Sequence, residues 1–218
     1  MSEQMDLRKE TAYFMRRLYK QGLTTTSGGN ISVLTGNGTM LITPSATDKG
    51  RMSSSEIGEM DFDCNIVGKS FKPSIESRMH LEIYKNRPDA KAVVHAHPVH
   101  ASAFAALDTK INTNLLAESH AIIGNVCYAP YFLMGSLELA LSVGKAAGGA
   151  DCVIMLNHGA LAVGRTLLEA FDRLEVLEAA ARMTFLHLSM NGVKSQSLGG
   201  KELAELDAMM GRQAKPGR

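Results

Sequence analysis

Two histidines separated by one residue, His95-Ala96-His97, follow directly on the apolar pair Val93-Val94. No other feature of this chain restricts its fold as strongly. In an extended strand alternate side chains share a face about 7 Å apart, so both imidazoles point to one side while Ala96 points away. Packing alone seldom produces such a pair. A strand-borne His-x-His, joined by a third histidine and a carboxylate from elsewhere, is the donor set of a zinc-type site.

The third candidate ligand is His158, in Leu156-Asn157-His158-Gly159 after the apolar run Cys152-Val153-Ile154-Met155-Leu156. That run is short and rich in β-branched residues, which predicts a buried strand that ends beside His158, with the chain turning at Gly159. The carboxylate candidate is Glu76, in Lys72-Pro73-Ser74-Ile75-Glu76. Pro73-Ser74 reads as a helix entry, which puts Glu76 in the first turn, where the helix dipole favours an anion. His80 and His187 fall inside expected helices and His100 opens one, so packing or solvent exposure accounts for them. His120 follows Glu118 in a segment that borders a possible cleft.

Net charge is +1 and disperses without a basic stripe, so nothing points to nucleic acid. No apolar stretch reaches the roughly 18 residues that span a bilayer, and the N-terminus is acidic and polar; the expectation is a soluble, cytoplasmic protein without a membrane partner. Cys64, Cys127 and Cys152 lie far apart with no Cys-x-x-Cys pair, as suits reduced thiols. With 218 residues, 45% of them hydrophobic, the chain is long enough for one domain with a substantial core.

Helical spacing predicts a first helix from about Leu7 to Lys20, stopped at Gly22. Gly36-Asn37-Gly38, between Ile31-Ser32-Val33-Leu34 and Met40-Leu41-Ile42-Thr43, signals a hairpin. A second hairpin is expected around Asp63-Cys64-Asn65. Further helices are expected after Ser74, from about Val99 to Ala106, from Ser136, and from about Thr166 to Met190 with Thr166 as N-cap and Glu169 at the capping-box position. Strands are expected from Ala92 to His97, from Gly124 to Tyr128 and from Val153 to Leu156. In the tail after Asn191-Gly192, Glu202 to Met210 suits a short helix and 213–218 a frayed end. Early hairpins followed by alternating strands and helices imply a mixed sheet with helices on its faces.

The ordered set Ser27-Gly28-Gly29-Asn30-Ile31-Ser32, Thr43-Pro44-Ser45, Pro73-Ser74-x-Glu76, His95-x-His97 and Asn157-His158-Gly159 resembles the class II aldolase/adducin head-domain family. The resemblance runs from about Leu7 to Met190. It implies one three-layer α/β/α domain over 1–218, with a core at about 7–190, a tail at 191–218 and a mixed, largely antiparallel central sheet. It also implies a homotetramer with active sites at subunit interfaces and a divalent metal, zinc or else manganese or cobalt. His95, His97 and His158 match the family's metal-binding histidines, and Glu76 its ligand and acid/base. Gly29, Asn30, Ser45 and Ser74 match the positions that hold a substrate phosphate. The activity so implied is that of a zinc-dependent aldehyde-lyase, cleaving a ketose 1-phosphate of the fuculose type to dihydroxyacetone phosphate and an aldehyde through a metal-stabilised enediolate.

Two departures bear on substrate. Ile75 stands where the aldolase pattern has a second serine, and Leu115 to His120 contains no tyrosine to protonate the sugar hydroxyl, which leaves Glu118 or His120 for that role. Decarboxylase, dehydratase or epimerase chemistry on a sugar-acid phosphate or pentulose phosphate is the alternative. A non-enzymatic, adducin-like interaction module would have lost ligands and gained long charged tails, and this sequence does neither.

Overall fold

In the computed structural model, which describes residues 2–190, 194 and 196–212, the described strands join in one sheet. They are β1 (Asn30–Leu34), β2 (Met40–Ile42), β3 (Gly58–Met60), β4 (Ala92–Ala96), β5 (Val126–Ala129), β6 (Cys152–Met155) and β7 (Gly159–Gly164). Their spatial order is β3-β2-β1-β4-β7-β6-β5, antiparallel throughout except for the parallel pair β5 and β6. The register sets Asn30 of β1 opposite His95 of β4, and Leu161 of β7 opposite His95 on the other side.

Helices cover both faces. Val93, Val153, Leu161 and Val163 pack under α2 (Ser77–Asn86) and α5 (Leu137–Ala147), through Met79, Ile83, Leu139 and Val143. The alternate residues Val94, Ile154, Ala160 and Ala162 pack under α1 (Ser2–Lys20), α3 (Val99–Phe104) and α6 (Leu167–Ser189), through Leu18, Phe104, Phe171 and Leu174. The period-two alternation of β4 thus feeds two cores and leaves its C-terminal end, with both histidines, at the rim. This is a single α/β domain with a mixed, mostly antiparallel sheet.

Local signals explain most boundaries. After α1, Gly22 adopts φ +70° and the Leu23 amide bonds back to Leu18, which closes the helix in a left-handed cap. Thr166 caps α6 with its hydroxyl accepting from the Glu169 amide, although the Glu169 carboxylate reaches the amide of Arg165 rather than that of the cap residue. Ser136 caps α5 in the same way, and α7 (Gly200–Met209) occupies the expected tail position. Residues 213–218 and Asn191-Gly192 lie outside the described residues.

The second hairpin forms around Asp63-Cys64-Asn65 as expected, with a bridge from Met60 to Ile66 and the Val67 amide on the Glu59 carbonyl, although only Gly58–Met60 is a strand and Ile66 and Val67 stay exposed. Three expectations need correction. The helix from Val99 stops at Phe104. Residues Ala117–Ile123, unassigned from sequence, form the helix α4. The chain does not turn at Gly159: Asn157, at φ +54°, makes the turn, and Gly159 opens β7, wholly buried between β4 and β6. Glycine is required there by close approach, since a Cβ would lie 2.5 Å from His97 Cδ2 and 2.8 Å from the Ala96 oxygen. Among the described residues no helix is long and apolar enough to cross a membrane.

Candidate metal centre

The end of β4, the β6–β7 turn and the entry to α2 meet at one point. His95, His97 and His158 present ligand nitrogens that all lie within 4.8 Å of one another. Their ring centroids are 4.8 Å (His95 to His97), 5.1 Å (His95 to His158) and 5.7 Å (His97 to His158) apart. The carboxylate of Glu76 closes the group, with Oε1 2.9 Å from His158 Nε2 and Oε2 3.3 Å from His95 Nε2. Glu76 is the N-cap residue of α2 rather than part of its first turn, and its side chain caps no backbone amide. It is free to face the histidines.

Donor orientation decides what this group can hold. His95 Nδ1–H donates to the Ala160 carbonyl at 2.9 Å, which fixes the ring and leaves its Nε2 lone pair pointing into the cluster. That Nε2 and Glu76 Oε1 are buried, yet neither makes a well-directed hydrogen bond despite the short separations. Buried polar atoms without partners are rare because each forfeits its hydration. Three imidazole nitrogens within 4.8 Å of one another and a carboxylate beside them, with buried acceptors left unbonded, suit a divalent cation. The donor set of imidazoles and a carboxylate fits zinc, manganese or cobalt.

The electrostatics agree. Burial alone would raise the Glu76 carboxyl, but His95 and His158 beside it outweigh burial and hold it well below the usual carboxylate range. Burial lowers His97 to about 4, and any charge on the neighbouring imidazoles would push the same way, so this ring is neutral and ready to ligate.

Of the four positions expected to hold phosphate, Gly29, Asn30 and Ser74 pack against the cluster. Asn30 Nδ2 donates to Glu76 Oε2 at 2.7 Å and to Ser74 Oγ at 3.1 Å. Gly29 adopts φ +67°, and a Cβ there would lie 2.7 Å from the His95 carbonyl oxygen, so only glycine lets this loop press on β4. Ser45 is held against the Lys72-Pro73 segment that precedes Ser74, through the Pro44–Pro73 bridge and a hydrogen bond from its amide to the Lys72 carbonyl. Ser74 Oγ also accepts from the Glu76 amide at 3.3 Å, which leaves its own O–H to donate to a ligand.

Two departures from the sequence reading stand out. His120 is buried and tied to Asn114 and Asp207, each at 3.0 Å, and Glu118 is exposed on the same helix; neither joins the three histidines. Lys49, which no sequence pattern singled out, is almost fully buried beneath the Ser45 loop, where its ammonium donates to the Pro44 carbonyl and its amide to Thr26. Burial lowers this lysine to about 8, with Glu56 pulling the other way.

That lowering has a measurable sign. Between about pH 8 and the ordinary value of 10.5 the unfolded chain binds more protons than the folded one, so the wild type gains stability as pH rises through this window. Relative to Lys49→Met, its gain from pH 7 to 10.5 is expected to be about 2–3 kcal/mol, at about 1.4 kcal/mol per pH unit. Urea unfolding across that range reads it. A stability difference that does not change with pH would show that the ammonium is solvated.

Comparison with known proteins gives a consistent result. Residues 9–185 match the family described as Class II Aldolase and Adducin N-terminal domain. An L-fuculose phosphate aldolase of Methanococcus maripaludis is 36% identical over 190 residues, covering 87% of this chain and 100% of that protein. A 3-oxo-tetronate 4-phosphate decarboxylase of Haemophilus influenzae is 31% identical over 196 residues, covering 88% of this chain and 91% of that one. The solved structure of an L-fuculose 1-phosphate aldolase superposes with a TM-score of 0.87 at 31% identity, covering 94% of this chain and 96% of that one.

Proposed function

The chain belongs to the class II aldolase and adducin family, and from that premise we propose that it is a divalent-metal aldolase cleaving a ketose 1-phosphate of the fuculose type to dihydroxyacetone phosphate and an aldehyde. The observation that carries this reading is the Glu76 carboxylate set between His95 and His158, with the Asn30 and Ser74 donors beside it. His95, His97 and His158, with Glu76, would hold the ion. When bound, a divalent cation supplies Lewis-acid polarisation of the ketose carbonyl and stabilises the negative charge that carbon–carbon cleavage leaves behind.

The remaining work falls to this chain's side chains. Glu76, anionic and buried, takes the proton from the carbon next to the carbonyl in the condensation direction and returns it in the cleavage direction. The Gly28-Gly29 loop, Ser45 and Ser74 offer amide and hydroxyl donors to the phosphate, Asn30, whose side-chain hydrogens go to Glu76 and Ser74, holds the Ser74 hydroxyl in place for it, and the buried Lys49 ammonium adds positive potential behind the Ser45 loop. Ser74→Ala is expected to raise KM for the phosphorylated substrate about tenfold with a smaller change in kcat, which initial-rate kinetics resolves. A KM unchanged by that substitution would move the phosphate elsewhere.

One observation favours a second reading. The aldolase pattern's second serine is Ile75, 58% exposed, and the segment ahead of β5 brings no tyrosine to the site. Both changes remove donors, and a 3-oxo-acid phosphate decarboxylase, like the Haemophilus relative, is the alternative. The zinc- or manganese-loaded protein, offered dihydroxyacetone phosphate with small aldehydes and separately 3-oxo-acid phosphates, separates them. Carbon dioxide release without any condensation product would replace the aldolase by the decarboxylase. We also propose a homotetramer with interfacial sites, supported by the exposed run Tyr131, Leu133 and Met134 beside Ile75; a monomeric mass in solution would refute it.

A further inference from the structure

Behind Glu76 lies a buried file of polar groups that ends in the core. Asn30 donates through Nδ2 to Glu76, and its Oδ1 meets His80 Nε2. His80 Nδ1 lies 2.6 Å from Ser32 Oγ, and Ser32 Oγ lies 2.8 Å from the Tyr84 hydroxyl. His80 and Ser32 are completely buried, Asn30 and Tyr84 nearly so. The file alternates between two elements, Asn30 and Ser32 on one face of β1, His80 and Tyr84 one turn apart on α2.

The proton direction of each link follows from the one before. An ionised carboxylate only accepts, so Asn30 turns its N–H to Glu76 and its oxygen to His80. His80 must then donate from Nε2 and accept at Nδ1, Ser32 must donate to that nitrogen, and Tyr84 must donate to Ser32. Burial lowers His80 to about 3, with any charge on His95 adding to this and Glu76 opposing it, so the ring carries a single proton; burial likewise keeps the Tyr84 phenol protonated. An amide's nitrogen and oxygen occupy nearly the same volume, so packing alone does not choose between the two orientations of Asn30. The reversed amide would set two acceptors against each other at Glu76.

We propose that His80 is a positioning residue: held as the Nε2–H tautomer by Ser32 and Tyr84, it locks the Asn30 amide with its N–H on Glu76 and thereby aims the carboxylate at His95 and His158. An apolar filling would pack this core equally well, whereas a one-way donor chain ending on Glu76 serves the carboxylate. The inference rests on the reading of Glu76 and the three histidines as a metal centre.

Nitrogen-15 NMR of the full-length protein, with the His80 ring assigned through its contacts to Tyr84 and Ser32, is expected to show the Nε2–H tautomer. An Nδ1–H tautomer overturns the proposal without any substitution. Cobalt affinity, measured by competition with a chromophoric chelator, is expected to fall about 10- to 100-fold in His80→Leu. His80→Gln, whose amide again offers one donor and one acceptor, is expected to recover most of the loss. A leucine variant that folds, by its melting curve, and binds cobalt like the wild type overturns it. Should the wild type bind no cobalt, the metal-centre reading fails, and the tautomer alone decides whether His80 orients Asn30.

Discussion

Replacing His97 by alanine is expected to strip the protein of its divalent ion and to lower turnover at least about a thousandfold, because carbonyl polarisation and stabilisation of the developing charge are lost together. His97 is the most informative of the three histidines to remove. It sits beyond the last residue of β4 at the rim and is only partly buried, so its loss costs little core packing. His95→Ala is expected to lose the metal equally, yet it also empties a fully buried position and removes the bond to the Ala160 carbonyl, a cost of about 1 kcal/mol from the hydrogen bond alone. Metal content after dialysis, read beside the melting temperature, separates the two effects: both variants metal-free, only His95→Ala clearly destabilised. A His97→Ala protein that keeps a stoichiometric ion and its turnover would remove His97 from the centre.

The part of this site that sequence made legible is the part written in short spacings. Strand periodicity alone puts His95 and His97 on one side of β4, and Gly36-Asn37-Gly38 marks the β1–β2 hairpin whose partner strand is β4. β7 stayed hidden because Gly159-Ala160-Leu161-Ala162-Val163-Gly164 carries little strand propensity of its own; its small residues answer to neighbours. A Cβ at Gly164 would lie 2.4 Å from the Ala170 amide, just as one at Gly159 would strike His97. Tertiary burial between β4 and β6 overrides the local preference there. His80 passed for a packing histidine because its partners Asn30 and Ser32 are 50 and 48 residues away. The one local hint was its place four residues after Glu76, on the same side of the α2 entry. Lys49 was invisible for the same reason, since burial is decided by the loops that close over it. His120 does border a cavity, but its tie to Asp207 was hidden because that partner belongs to a tail helix that no motif connects to it.

Glu76→Gln is expected to separate the centre's two roles. Glutamine nearly preserves the shape of the carboxylate but turns one end into a donor, which meets either the Asn30 amide N–H or His158 Nε2. Metal affinity should therefore weaken without disappearing, because three imidazoles remain. Proton transfer is affected far more: the variant has no group able to accept the proton from the carbon beside the carbonyl, and a loss of about 10²–10⁴ in rate is expected. The half-reaction isolates this step. Metal-loaded wild type, given dihydroxyacetone phosphate in deuterium oxide without an aldehyde, should exchange one carbon-bound hydrogen, followed by proton NMR, while metal-loaded Glu76→Gln should exchange it hundreds of times more slowly. Comparing both proteins at saturating metal keeps weakened ligation from mimicking a lost base. Exchange at the wild-type rate in the glutamine variant would assign the base to another group and leave Glu76 as a ligand alone. An unexchanged substrate in both proteins, with carbon dioxide released from a 3-oxo-acid phosphate, would shift the chemistry to decarboxylation, where the carbon that carbon dioxide has left takes its proton from solvent, directly or through Glu76 after the carboxylate has first been protonated by water.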